Sequence, residues 1–131
     1  MASILKVDTI TGVATAGSIA VTGEGNSTTT NLQQGLAKVW ADYEGSTNTL
    51  RDSLNISSVD DDGTGIFDYN YTSNMNANNY SVSCSATDQS YCGTDDKSEV
   101  LSSQVEILTH NSTPSARDRN YNAVTIHGDL A

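Results

Sequence analysis

The sequence has few of the residues that build a large core or a membrane segment. Its 131 residues include one Pro, one Phe, one Trp and two Cys. No stretch approaches the roughly 18 apolar residues that span a bilayer. The opening residues also lack the basic region and apolar run of a secretory signal. We therefore expect a soluble protein that is made in the cytoplasm.

Apolar side chains are scarce in general. Hydrophobic residues make up 36% of the chain, whereas soluble domains usually have roughly 45–50%, a figure that also counts Gly. A domain of this size with a thin core often depends on partner subunits, metals or disulfides. The composition favours an oligomer.

Basic residues are also few. The sequence has six Lys and Arg residues and sixteen Asp and Glu residues, which gives a formal net charge of −10. Such a charge repels phosphate backbones and anionic lipid headgroups. We therefore expect neither nucleic acid nor a membrane as a partner.

The first 30 residues are rich in Gly, Ala, Thr and Val and contain β-prone patches at 4–10 and 18–22. They hold too few large apolar residues for a core. We interpret residues 1–30 as an extended attachment arm that can add a strand to the edge of a neighbouring sheet. The residues expected to make contact are Ile4, Leu5, Val7 and Ile10. The alternative is a disordered tail.

Residues 31–131 are predicted to form one mostly β domain that opens with a short helix. A capping-box spacing at Thr30 and Gln33 starts the helix, and Gly35 limits it to about two turns that end near Lys38. Period-two alternation and frequent turn residues then indicate an antiparallel β-sandwich. The six predicted strands cover residues 39–43, 50–59, 66–72, 80–86, 99–109 and 121–128.

Cys84 and Cys92 lie on either side of a polar turn. They allow one intramolecular disulfide, which would close a small loop within a hairpin. The alternative is that Cys84 is an ordinary small buried residue of the apolar strand face. Both interpretations stay open.

The sequence predicts no metal, cofactor or catalytic site. Asp60, Asp61 and Asp62 do not continue into the ligand spacing of a calcium loop, so a hairpin turn explains them better. Neither His110 nor His127 forms a zinc-ligand pattern with the cysteines or lies in a known nucleophile motif. We expect a protein that is not an enzyme.

Several segments together resemble a recurrent domain of tailed-bacteriophage fibre proteins. They are Gly-Leu-Ala-Lys-x-Trp at 35–40, Arg-Asp-Ser-x-Asn-x-Ser-Ser at 51–58, Gly-Thr-Gly at 63–65 and the final Gly-Asp-Leu-Ala at 128–131. The segment Ser-Ile-Leu-Lys-Val-Asp-Thr-Ile at 3–10 is similar to the start of many marine-phage fibre and virion-decorating proteins. The region 80–97, which contains both cysteines, departs from this pattern.

The resemblance implies a virion protein of the short-fibre or capsid- or tail-decorating kind. Such a protein would be made in the host bacterial cytoplasm, dock to capsid or tail proteins by its arm, and form a homotrimer. Leu36 and Trp40 are then expected to anchor the core or the trimer. The alternative function is a receptor-binding fibre tip that recognises a host-surface glycan, with Trp40 exposed as a contact.

Overall fold

A computed structural model describes residues 4–12, 19–23, 28–88, 90–94, 96–113 and 115–131. The chain divides into two compact units, Met1–Gly35 and Leu36–Ala131. Parts of the predicted arm, residues 1–3, 13–18 and 24–27, lie outside the described residues.

The first unit contains little regular structure where it is described. Residues 4–12 form neither helix nor strand. Strands β1, Ala20–Thr22, and β2, Thr29–Asn31, pair antiparallel. The helix α1, Leu32–Gly35, follows directly. It is capped by Asn31, whose Oδ1 accepts a hydrogen bond from the Gln34 amide at 3.0 Å.

The helix is shorter than the sequence indicates. The prediction that it continues to about Lys38 is wrong, because the chain is already extended at Ala37. From there it pairs with the last strand of the second unit, so sheet pairing overrides the local helical preference.

The second unit is an antiparallel sandwich, which confirms the predicted fold class. Its strands are β3 Ala37–Glu44, β4 Thr49–Leu54, β5 Ile56–Gly63, β6 Ile66–Tyr71, β7 Ser81–Ala86, β8 Tyr91–Gly93, β9 Gln104–His110 and β10 Asn122–His127. Within the described residues, sheet one has the strand order β4-β3-β10-β7 and sheet two has the order β5-β6-β9-β8. A short 3-10 helix covers Lys97–Glu99.

Alternation along the strands places one set of side chains in the core. Phe67, Tyr69 and Tyr71 of β6 are buried, as their shared face predicted, and the residues between them face outward. In β7, Val82 and Cys84 are half-buried while the intervening serines are exposed. The buried apolar core consists of Val39, Ala41, Tyr43, Phe67, Tyr69, Tyr71, Met75, Val100, Val105, Ile107, Val124 and Ile126.

The predicted strand 50–59 is two strands that belong to different sheets. They meet at Asn55, whose φ of 61° lies in the left-handed region that interrupts a strand. The Asn55 side chain donates to the Ser73 carbonyl at 2.9 Å and accepts from the Ser73 amide at 2.7 Å. Asn55 is thus the position where the chain leaves sheet one for sheet two.

One further predicted strand needs correction, and one observed strand was not predicted. The predicted strand 99–109 begins only at Gln104, because Glu99 ends the 3-10 helix, whose first turn is capped by Asp96. The short strand β8 has no counterpart in the prediction. Its three residues give too little alternation to be recognised.

The turn between β5 and β6 depends on Gly65. Its φ is 72°, and a Cβ there would lie 2.5 Å from the Thr109 carbonyl oxygen and 2.7 Å from the Arg117 amide nitrogen. Its own amide donates to Asp118 Oδ1 at 2.6 Å. Glycine is therefore required both for the backbone conformation and for the close approach of a neighbouring segment.

We predict that Gly65→Ala destabilises the protein. The left-handed conformation alone costs about 1–2 kcal/mol for a residue with a Cβ, and the overlap with Thr109 adds to that cost. The control is Gly93→Ala, because no described atom lies within 4 Å of a Cβ at that position. Chemical denaturation of the two variants tests this. Equal free energies of unfolding for the two would contradict the assignment.

Candidate functional site

The outer face of sheet two carries a cluster of acidic side chains. Asp68 of β6 lies opposite Asp60 of β5 on one side and Glu106 of β9 on the other. Asp62, Asp68 and Glu106 each place one carboxylate oxygen within 4.8 Å of the others. We call these three residues the carboxylate cluster. It is formed by the sheet register, which brings like charges onto neighbouring strands.

Asp68 has a perturbed pKa. Its pKa is raised, first by desolvation and then by the negative charge of Asp62, while a hydrogen bond from Gln104 opposes the shift. Gln104 Nε2 donates to Asp68 Oδ2 at 2.6 Å. The other oxygen, Oδ1, is buried and accepts no hydrogen bond from the described residues. A protonated Asp68 can instead donate a hydrogen bond to Asp62.

The cluster could hold a hard cation, because carboxylate oxygens are the ligands that Ca²⁺ prefers. Ca²⁺ takes six to eight oxygens, so three carboxylates would leave most of its coordination to water. The sequence pattern does not indicate the cluster. The interpretation of residues 60–62 as a hairpin turn needs correction, because these residues belong to β5 and the turn follows at 64–65. Only the strand register could have joined them to Asp68 and Glu106.

The two cysteines lie on neighbouring strands of different sheets. Cys84 is in β7 at the edge of sheet one, and Cys92 is in β8 at the edge of sheet two. Both are half-buried against the core. The predicted hairpin is therefore wrong, because β7 pairs with β10 and β8 pairs with β9. Both cysteines are unbonded in this structure.

The predicted anchors Leu36 and Trp40 do not belong to the buried core of the chain. Leu36 is 55% exposed. Trp40 is half-buried and alternates with the inward-facing Val39 and Ala41, so it lies on the outer face of sheet one. Its cross-strand partners are Leu54 and Thr125. The prediction that Leu36 and Trp40 anchor the core is therefore wrong for the single chain. Their role as trimer anchors stays a prediction.

The four predicted arm contacts are all exposed. Ile4 and Leu5 are 79% and 81% exposed, and Val7 and Ile10 are also more than half exposed. They lie in the segment 4–12, which is neither helix nor strand.

Loops at one end of the sandwich form an open groove that the sequence did not indicate. It has a volume of about 440 Å³. Beside it, the Tyr80 hydroxyl accepts from Tyr71 at 3.0 Å and donates to the Leu101 carbonyl at 2.7 Å. These two hydrogen bonds hold the backbone at Leu101 in place at one wall of the groove. The lining residues are Asn76, Ala77, Asn78, Leu101, Ser102 and Ser103.

Comparison of the chain with protein-family models, curated proteins and solved structures finds no match. Among the described residues, no helix has the length and apolar character needed to cross a membrane.

We predict that Asp68→Asn stabilises the protein at neutral pH. Because folding raises the pKa of Asp68, its contribution to stability is fully present below its ordinary pKa of 3.8 and is lost as pH rises through the folded-state value. Asn removes this loss and can still accept from Gln104. Melting temperature between pH 3 and 8 should therefore fall less steeply in the variant.

Asp52→Asn is the matched control for the change in net charge, because Asp52 is exposed on β4 of the other sheet. Its Oδ1 accepts only from the neighbouring Ser53 amide among the bonds described, and an asparagine retains that bond. Parallel pH profiles for the two variants would show that overall charge, and not the environment of Asp68, governs the effect.

Proposed function

We propose that the chain is a non-enzymatic structural protein of a tailed-bacteriophage virion, either a short fibre or a decoration of the capsid or tail. It docks to capsid or tail proteins through residues 4–12 and trimerises through the unit Leu36–Ala131. The observation that carries this proposal is the exposure of four large aliphatic side chains in residues 4–12. The resemblance of the sequence to phage fibre proteins supports a tailed-bacteriophage virion as the particle.

Residues 4–12 have the character of a docking segment. Full burial of an aliphatic side chain contributes about 1.5–3 kcal/mol, so the four exposed side chains offer several kcal/mol to a partner. Ordering the backbone costs about 1–2 kcal/mol per residue. Apolar contact alone would therefore not suffice. Addition of the segment to a sheet edge supplies backbone hydrogen bonds as well.

The outer face of sheet one supports trimerisation. Trp40 lies beside Leu54, which is 47% exposed. Arg51 pairs with Glu44 at 2.7 Å and with Asp42 at 3.4 Å, which reduces the negative charge on the same pair of strands. Association of a chain with a net charge of −10 needs such an apolar and locally neutralised surface. Aromatic anchors of this kind usually dominate the energy of an interface.

Glycan recognition is a second candidate function, favoured by the groove at the end of the sandwich. Asn76, Asn78, Ser102 and Ser103 offer amides and hydroxyls that suit sugar hydroxyls, and Leu101 adds an apolar surface that is 40% exposed. The two functions are compatible, because the groove and residues 4–12 share no residue.

We predict that the full-length variant with Ile4, Leu5, Val7 and Ile10 all replaced by Ser is lost from virions. Its incorporation into particles of the encoding phage should fall at least about tenfold, since the apolar contribution to docking is removed. Its melting temperature should stay unchanged, because these side chains are exposed. Quantitative immunoblotting of purified particles and thermal denaturation measure the two quantities.

The control variant carries Tyr91→Ser and Leu101→Ser, two exposed residues of the unit Leu36–Ala131. It should be incorporated normally. Normal incorporation of the arm variant would place docking elsewhere, and absence of the unaltered chain from purified particles would reject the virion role.

A further inference from the structure

The two sheets have adjacent edges at one side of the sandwich. Strand β7 ends the order of sheet one, and β8 ends the order of sheet two. The two strands lie side by side but do not pair with each other in the described structure. Here no strand hydrogen bonds hold the sheets together, so side chains must do so.

Cys84 and Cys92 occupy the middle of these two edges. Cys84 lies opposite Val124 of β10, and Cys92 lies opposite Thr109 of β9. Both side chains pack partly buried against the hydrophobic core. They therefore point into the space between the sheets, toward each other.

The two thiols interact directly. A hydrogen bond between them raises the pKa of Cys84 and lowers the pKa of Cys92. Burial further raises the pKa of Cys84. Cys92 is thus the better nucleophile, because the thiolate is the reactive form of cysteine.

We propose that Cys84 and Cys92 form a disulfide that links the edges of the two sheets when the protein meets an oxidising disulfide such as glutathione disulfide. This inference rests on the position of the two strands and does not depend on the virion role. A bond here would join the edges of the two sheets, and not the two arms of one hairpin.

The reaction is a thiol–disulfide exchange in two steps. The Cys92 thiolate attacks one sulfur of glutathione disulfide, forms a mixed disulfide, and releases one glutathione thiolate. Cys84, as its thiolate, then attacks the Cys92 sulfur and releases the second glutathione. The two cysteine protons end on the two glutathione thiols. The protein dithiol loses two electrons, and glutathione disulfide gains them.

The test is exposure of the full-length protein to glutathione disulfide, followed by thiol counting in denaturant and peptide mapping. We expect loss of both thiols, a mass decrease of two hydrogens, and one peptide pair joined through Cys84 and Cys92. Melting temperature should rise by roughly 10 °C, because the bond restricts the unfolded chain. Reduction should reverse all four changes.

Single variants test the order of the steps. Cys84→Ser should keep a stable glutathione adduct on Cys92, and Cys92→Ser should react more slowly. The double variant Cys84→Ser/Cys92→Ser is the control. Its melting temperature should be the same with and without glutathione disulfide. If the variants fold poorly, peptide mapping of the unaltered protein decides alone. Two thiols still titratable after exposure, a lasting mixed disulfide on the unaltered protein, or disulfide-linked dimers would overturn the proposal.

Discussion

The sandwich depends on aromatic packing between its two sheets. Tyr43 of sheet one contacts Phe67 and Tyr69 of sheet two edge-to-face, with ring centroids 5.2 and 6.0 Å apart. All three side chains are at most 1% exposed. The sequence has one Phe and one Trp, and three of the four aromatic residues in the described core are tyrosines. A buried phenol ring can keep its hydroxyl hydrogen-bonded, as the Tyr43 hydroxyl donates to Asn48 Oδ1 at 3.2 Å.

Several large apolar side chains do not belong to this tyrosine-containing core and lie at the protein surface. The only Trp of the sequence lies on the outer face of sheet one, and the aliphatic side chains of residues 4–12 are exposed. The outer face of sheet two has the opposite character, because it carries a group of carboxylates. There burial, together with the negative charge of Asp62, raises the pKa of Asp68. Because the two faces differ in this way, we expect association to use sheet one, where Arg51 pairs with two acidic side chains.

Period-two alternation was enough to predict the sandwich and the buried face of β6, because side-chain direction in a strand is a local property. It could not predict the switch between sheets at Asn55, which depends on a left-handed residue held by Ser73. Nor could it place Cys84 and Cys92 on different sheets. That arrangement depends on long-range pairing with β10 and β9, as does the meeting of Asp68 with Glu106.

We expect this thin-cored chain to cover its outward-facing Trp40 by assembling with two further copies of itself. Sedimentation equilibrium of the protein at micromolar concentration measures this assembly. We predict a single species with three times the 13.8 kDa mass of the chain, which Trp40→Lys converts to a folded monomer while Thr64→Lys, in an exposed turn, does not. A stable, well-folded monomer of the unaltered chain would rule out assembly through Trp40.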